Sequence, residues 1–280
     1  QIGRKELGNV QRQKNVHQNI QILVAAHKEY AMPTSTMYLP IHVGKEGKKP
    51  ISFIGDNTGD NISLKNANYC ELTALYWAWK NLGCEYIGLS HYRRYFSNDQ
   101  RAVSNRKNKK KELFSFILTE EQAQTYLMDY DVILPRKRNY YIETVWNQYC
   151  HAHNLDDLVL TRSIVNEIYP DYIDSFDYVM NGRKLHLYNM FVMRKSIFDE
   201  YAEWLFTILF ELEKHVDISG YSTYQARIFG FISERLFNVW IHHNQLKVKE
   251  LGIIQLENEN KIKKYTQFLK RKLYKSSGRS

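Results

Sequence analysis

The sequence predicts an α/β fold on a mostly parallel central sheet, and two observations carry that prediction. Short β-branched apolar runs such as Ile20 to Ala26 and Glu85 to Ser90 alternate with longer segments of helical apolar spacing. The first two runs also end in polar clusters, His27-Lys28 and His91 to Phe96. In open α/β sheets, ligands bind at the carboxyl ends of the strands.

The run Ile20 to Ala26 reads as a buried first strand. Residues 32 to 65 follow as a long loop with Pro33, Pro40, Pro50 and a turn-dense stretch from Gly55 to Ser63. Helical spacing from Tyr69 to Leu82 stops at Gly83, and Glu85 to Ser90 forms the second strand. The basic run Arg101 to Lys111 reads as a surface loop. Thr119, with Glu120 and Glu121 behind it, caps a helix to Asp129, and a strand from Asp131 to Leu134 ends at Pro135.

The second half predicts helices over 142–151, 155–168 and 172–180, then a strand over 186–193. Helices over 196–214 and 221–243 and a last strand over 246–250 follow. The division expected is a flexible extension over 1–19, a main domain over 20–251, and a basic amphipathic helix and tail over 252–280. In that tail Ile262, Tyr265, Phe268, Leu269 and Leu273 share one helical face opposite lysines and arginine. That pattern suits an anionic membrane surface, or else a docked helix with a solvated basic face.

Hydrophobic residues are 44% of the chain, yet none of them form the ~18-residue apolar run that a membrane helix needs. The polar N-terminus lacks a secretory apolar core, and the three scattered cysteines suit reduced thiols, so the expected compartment is the cytoplasm. Lys and Arg outnumber Asp and Glu by 39 to 30, a net charge of +9 that favours an anionic partner. The cations are dispersed or confined to one loop and the tail, and no nucleic-acid-binding module is visible, which argues against nucleic acid.

His91, Arg93 and Arg94 at a strand end can bind a diphosphate through charge-assisted hydrogen bonds. The alternative for either arginine is a structural ion pair, and since neighbours on a strand face opposite ways the two do not share a target. Asp60 and Asn61, with Asp56 and Asn57, can hold a ribose or sugar hydroxyl, or a hard cation such as Mn2+ or Mg2+; plain turn chemistry explains them equally well. His27 and Lys28 stand where nucleotide contacts fall in such sheets. Asn189 interrupts an apolar strand with an amide that needs partners. Trp146, Asn147, His151 and His153 can form a polar wall for a sugar, or pack into the core.

The segments VAAHKEYAMP, YLPIHVG, IGDNTGDNIS, NYCELTALYWAWKN, IGLSHYRRYF, ETVWNQYCHAHNLDDL, LYNMFVMRKSIFDEYAEWLF and ARIFGFISERLFNVW resemble, in order, a family of originally uncharacterised domains. That family occurs in capsular and exopolysaccharide gene products and is classed with glycosyltransferases. The resemblance implies a single Rossmann-like nucleotide-sugar transferase fold (GT-A-like) and a uridine-diphosphate sugar donor. It also implies an acceptor that is a growing oligosaccharide on undecaprenyl diphosphate at the inner membrane surface, with galactofuranose transfer among the activities of relatives. An inverting transferase needs a carboxylate base, for which Glu234 and Asp157 lead a set that also holds Asp156 and Glu143, with an ion pair to Arg235 as the bland alternative for Glu234 and a helix start for Asp156 and Asp157. Many such enzymes hold a metal with Asp-x-Asp where this chain has His91 to Arg94, so the cationic cluster is expected to act without one.

Overall fold

The computed structural model describes residues 19–98 and 113–257. The expected basic loop and amphipathic tail helix fall almost wholly outside these residues. The strands are β1 (Ile20–Ala26), β2 (Tyr38–His42), β3 (Ile54–Gly55), β4 (Tyr86–His91), β5 (Arg94–Phe96), β6 (Val132–Pro135), β7 (Arg138–Asn139), β8 (Lys184–Leu185), β9 (Phe191–Arg194), β10 (Val248–Leu251) and β11 (Ile253–Gln255). The helices are α1 (Asn66–Tyr69), α2 (Leu72–Asn81), α3 (Glu120–Asp129), α4 (Val145–Ala152), α5 (Leu155–Ile168), α6 (Ile173–Asn181), α7 (Lys195–His215) and α8 (Ile228–His243).

The main sheet runs β10-β6-β9-β4-β1-β2-β3. All these strands are parallel except β9, which lies antiparallel between β4 and β6. Gly88 fits this junction because a Cβ there would stand 2.6 Å from the Phe191 carbonyl oxygen. β5 and β11 pair antiparallel off the end of β4, so the sheet continues past Leu251 to Gln255.

Alternate residues of each strand feed two cores. Leu23, Ile87, Leu134 and Phe191 face one side, where α2, α7 and α8 cover the sheet. Ile22, Val24, Ile133 and Val192 face the other, covered by α3 and aromatic residues of the β5 region. Burial on both faces is why β1 reads as a continuous apolar run. No helix among the described residues is long and apolar enough to cross a membrane.

Several expected boundaries shift for identifiable reasons. The single helix expected over 69–82 is broken at Cys70, whose φ of +54° interrupts the helical turn between α1 and α2. The strand expected over 186–193 begins only at Phe191, because Tyr188 and Asn189 adopt left-handed conformations. The helix expected from 221 begins at Ile228, after a short 3-10 turn. Thr119 caps α3 as expected, in a reciprocal pair with Gln122.

Candidate active site

Strand order reverses at β1, which leaves a crevice over the carboxyl ends of β1 and β4. A cavity of about 460 Å3 opens there, within the roughly 300–1,000 Å3 usual for small-molecule sites. His27 and His91 to Arg94 enter from the ends of β1 and β4, and Lys48 from the loop after β2. Cys70 and Glu71 come from the junction of α1 and α2, Tyr188 from the turn ahead of β9, and Arg227 and Glu234 from the start of α8. Four permanent cations, Lys48, Arg93, Arg94 and Arg227, thus surround two carboxylates, Glu71 and Glu234.

The base of the cavity is the turn that feeds β9. Because β9 runs against its neighbours, its entry lies at their carboxyl ends, and Tyr188 and Asn189 turn the chain there with φ of +76° and +52°. Such conformations cost about 1–3 kcal/mol each in a non-glycine residue and persist only where surroundings hold them. The Tyr188 N–H donates to Glu234 Oε1 at 2.8 Å, and the Asn189 amide donates to Glu71 Oε1 at 2.8 Å. Ser233 Oγ donates to Asn189 Oδ1 at 2.9 Å, and His91 Nε2 lies 2.7 Å from the Tyr188 carbonyl, to which it donates. Two consecutive strained residues therefore fix the two carboxylates of the cavity. Asn189 sits at the site, held by protein partners.

The Arg94 guanidinium stacks 4.6 Å from the Tyr188 ring centroid. Burial raises the Glu234 carboxyl above its ordinary pKa and Glu71 adds to that, while Arg235, the Tyr188 N–H and Arg94 act in the opposite sense. Arg235 lies 3.1 Å from Glu234 Oε2 and is itself held by Gln148 Oε1 at 2.8 Å. Burial lowers the pKa of His91 against the pull of Glu71. Cys70 is pushed up to about 11 by burial, so it stays a thiol, and Arg227 Nε lies 3.1 Å from its Sγ.

The two arginines of the strand-end cluster diverge. Arg93 pairs with Glu257 at 2.9 Å and stacks on Tyr92, whereas Arg94 turns toward Tyr188. His27 lines the cavity edge-on to Tyr92, and Lys28 lies over the Tyr30 and Tyr92 rings just outside the lining.

The other sequence candidates lie outside the cavity lining. Asp60 accepts from the Tyr76 hydroxyl, and Asn61 closes its own turn through Gly59 and Ser63. Asp56 is buried and accepts from the Gly44 and Lys45 N–H groups and Ser63 Oγ, so the 55–63 loop uses its acidic groups for its own fold and does not fit a cation. Asp157 is buried on α5, accepts from the Tyr221 hydroxyl at 2.6 Å and is raised by burial. His151 lies 3.3 Å from Glu143, and His153 packs among Tyr149, Tyr224 and Phe231 with Nδ1 3.1 Å from Gln225 Oε1. Trp146 packs against the core, and the Asn147 N–H donates to the α4 cap Thr144.

Glu71, Arg227, Lys48 and Tyr188 escape sequence reading. Glu71 sits in an apolar helical run, where it reads as an exposed position. Only the Cys70 kink turns it inward, and no local sequence signal marks that kink. No group of three or more His, Cys, Asp or Glu that could hold a metal occurs among the described residues.

A sheet of this order, with one antiparallel strand beside its switch point and a cationic cavity over the strand ends, defines a GT-A-like α/β fold. The chain belongs to the family described as Domain of unknown function (DUF4422), whose model matches residues 21–245. The apo structure of the WbbM bifunctional glycosyltransferase superposes with a TM-score of 0.78 at 35% identity, over 86% of this chain and 46% of that one. The chain thus corresponds to about half of that protein. No curated protein matches it.

Proposed function

We propose that the protein is a glycosyltransferase that moves a sugar, galactose or galactofuranose, from a uridine-diphosphate donor to an oligosaccharide on undecaprenyl diphosphate during surface polysaccharide assembly. The observation that supports this most is the cavity at the switch point, where cations for a diphosphate stand beside a fixed pair of carboxylates. The fold shared with a glycosyltransferase points the same way. Nucleic acid has no part in this reading, since the cations of the site converge on a cavity of small-molecule size.

In the inverting displacement proposed, the acceptor hydroxyl attacks the anomeric carbon and gives its proton to a carboxylate. The bond from that carbon to the diphosphate oxygen breaks, and the electron pair leaves with the diphosphate. Arg94 and Arg227 face the charge that develops on the leaving group. Both Glu234 oxygens are engaged, one by Tyr188 and one by Arg235. Glu71 accepts from Asn189 through Oε1 alone, which leaves Oε2 for the acceptor proton. Glu234, the carboxylate favoured from sequence, is then a positioning residue that holds the turn carrying Asn189.

Calorimetric titration with uridine diphosphate, in manganese and then in chelator, tests the donor site. Binding that survives chelation is expected; absence of binding in both conditions refutes the donor assignment. The tail helix over 260–275, which lies outside the described residues, is proposed to hold the enzyme on the anionic inner face of the membrane. Truncation at Asn260 is expected to weaken binding to anionic liposomes, and undiminished binding overturns that part.

A further inference from the structure

A second cleft, about 1320 Å3 in volume, lies beside the first, beyond residues 186–188. The two follow one another along α8. Glu234 lines the first, while Asn238, one turn further on, and His242 line the second. From Glu234 to His242 this stripe runs roughly 12 Å at ~1.5 Å per residue.

His186 lines the cleft and is 3% exposed. Asn238 clamps its backbone, accepting from the His186 N–H and donating to its carbonyl, each at 2.9 Å. The ring is aimed by Nδ1, which lies 2.6 Å from the Pro135 carbonyl. A carbonyl only accepts, so Nδ1 carries the hydrogen. Burial lowers this histidine to about 4, so the ring is neutral at physiological pH and Nε2 is a bare lone pair.

Nε2 stands 3.7 Å from Glu250 Oε1. With a neutral ring this is no ion pair. Two acceptors face each other at a separation too long for a hydrogen bond, and neither can donate to the other. The gap calls for a donor from outside, such as a hydroxyl. On the wall of the same cleft Tyr178 is 67% exposed and stacks on His242 with centroids 4.2 Å apart, which presents one flat ring face outward. Hydroxyl-matched acceptors and an exposed aromatic plane are what a sugar ring requires.

We infer that this cleft binds the glycan portion of the acceptor, with a sugar hydroxyl donating into the His186–Glu250 pair and Tyr178 covering one ring face. The inference rests on the transferase reading for the word acceptor; the glycan site is tested without it. The probe is an array of defined bacterial-surface oligosaccharides, neutral and uronic-acid-containing, followed by calorimetry without nucleotide on the best-retained member.

Tyr178→Ala and Glu250→Gln are each expected to weaken glycan binding tenfold or more. In Glu250→Gln the new amide donates to His186 Nε2 and closes the gap. Met128→Ala, exposed on α3 across the sheet, is expected to change nothing, and uridine diphosphate affinity is expected to stay the same in all three. Retention of no glycan, or retention indifferent to both cleft substitutions, overturns the inference. Cleft-dependent glycan binding in a protein that does not bind uridine diphosphate would support the glycan site while removing the transferase reading.

Discussion

His186→Asn should make the protein more tolerant of acid. The unfolded chain protonates this histidine near 6.5, the folded one only near 4. Between those values the unfolded state binds more protons, so stability falls as pH falls through the window and levels off below it. At about 1.36 kcal/mol per unit the full loss comes to about 3.4 kcal/mol, and by pH ~4.5 about 2.5 kcal/mol of it is realised. Asparagine can still donate to the Pro135 carbonyl in place of Nδ1 but has nothing to titrate. Urea unfolding of both proteins at pH ~7.5 and ~4.5 reads the difference, because every other group titrates in both. The wild type should lose about 2.5 kcal/mol more than the variant across that range. Parallel losses would refute the burial of a neutral ring.

Arg94→Ala is expected to weaken uridine diphosphate binding more than tenfold with the fold retained by circular dichroism, and unchanged affinity in a folded variant removes Arg94 from the site. Glu71→Gln should lower kcat by about 10²–10⁴ with donor affinity kept, the range of a lost general base; a kcat within twofold of wild type returns that role to Glu234. Gly88→Ala should destabilise by about 1–3 kcal/mol through its clash with the Phe191 carbonyl, and a wild-type urea midpoint would mean that β4 and β9 pair less closely than described.

The alternation of elements was readable because buried strands and amphipathic helices leave distinct periods in a sequence. Six strands among the described residues escaped, two of them, β2 and β3, in the main run of the sheet. β2 carries Pro40 yet sits inside the sheet between β1 and β3, and β3 is only two residues long, so neither has a usable pattern. The strand-end cluster His91 to Arg94 was readable as a place. Which arginine turns inward was not, since that depends on Glu257, more than a hundred residues away. Asp157 and the 55–63 loop misled for one reason: a carboxylate in the sequence does not declare that a hydroxyl or two backbone N–H groups will occupy it. Glu71 failed the other way, hidden in an apolar helix until Cys70 bends it.

The antiparallel strand at the middle of the sheet also sets the order of assembly. β4 and β6 have no hydrogen bonds to one another and meet only through β9, whose residues follow both by more than fifty positions. During synthesis the β4-β1-β2-β3 part of the sheet must therefore wait with its β4 edge bare, and β6 with both edges bare because β10 follows later still, until Phe191 to Arg194 arrives to join them. A chain halted before Phe191 would carry these three bare edges at once, and aggregation would compete with folding at that step until the turn that builds the cavity is also in place.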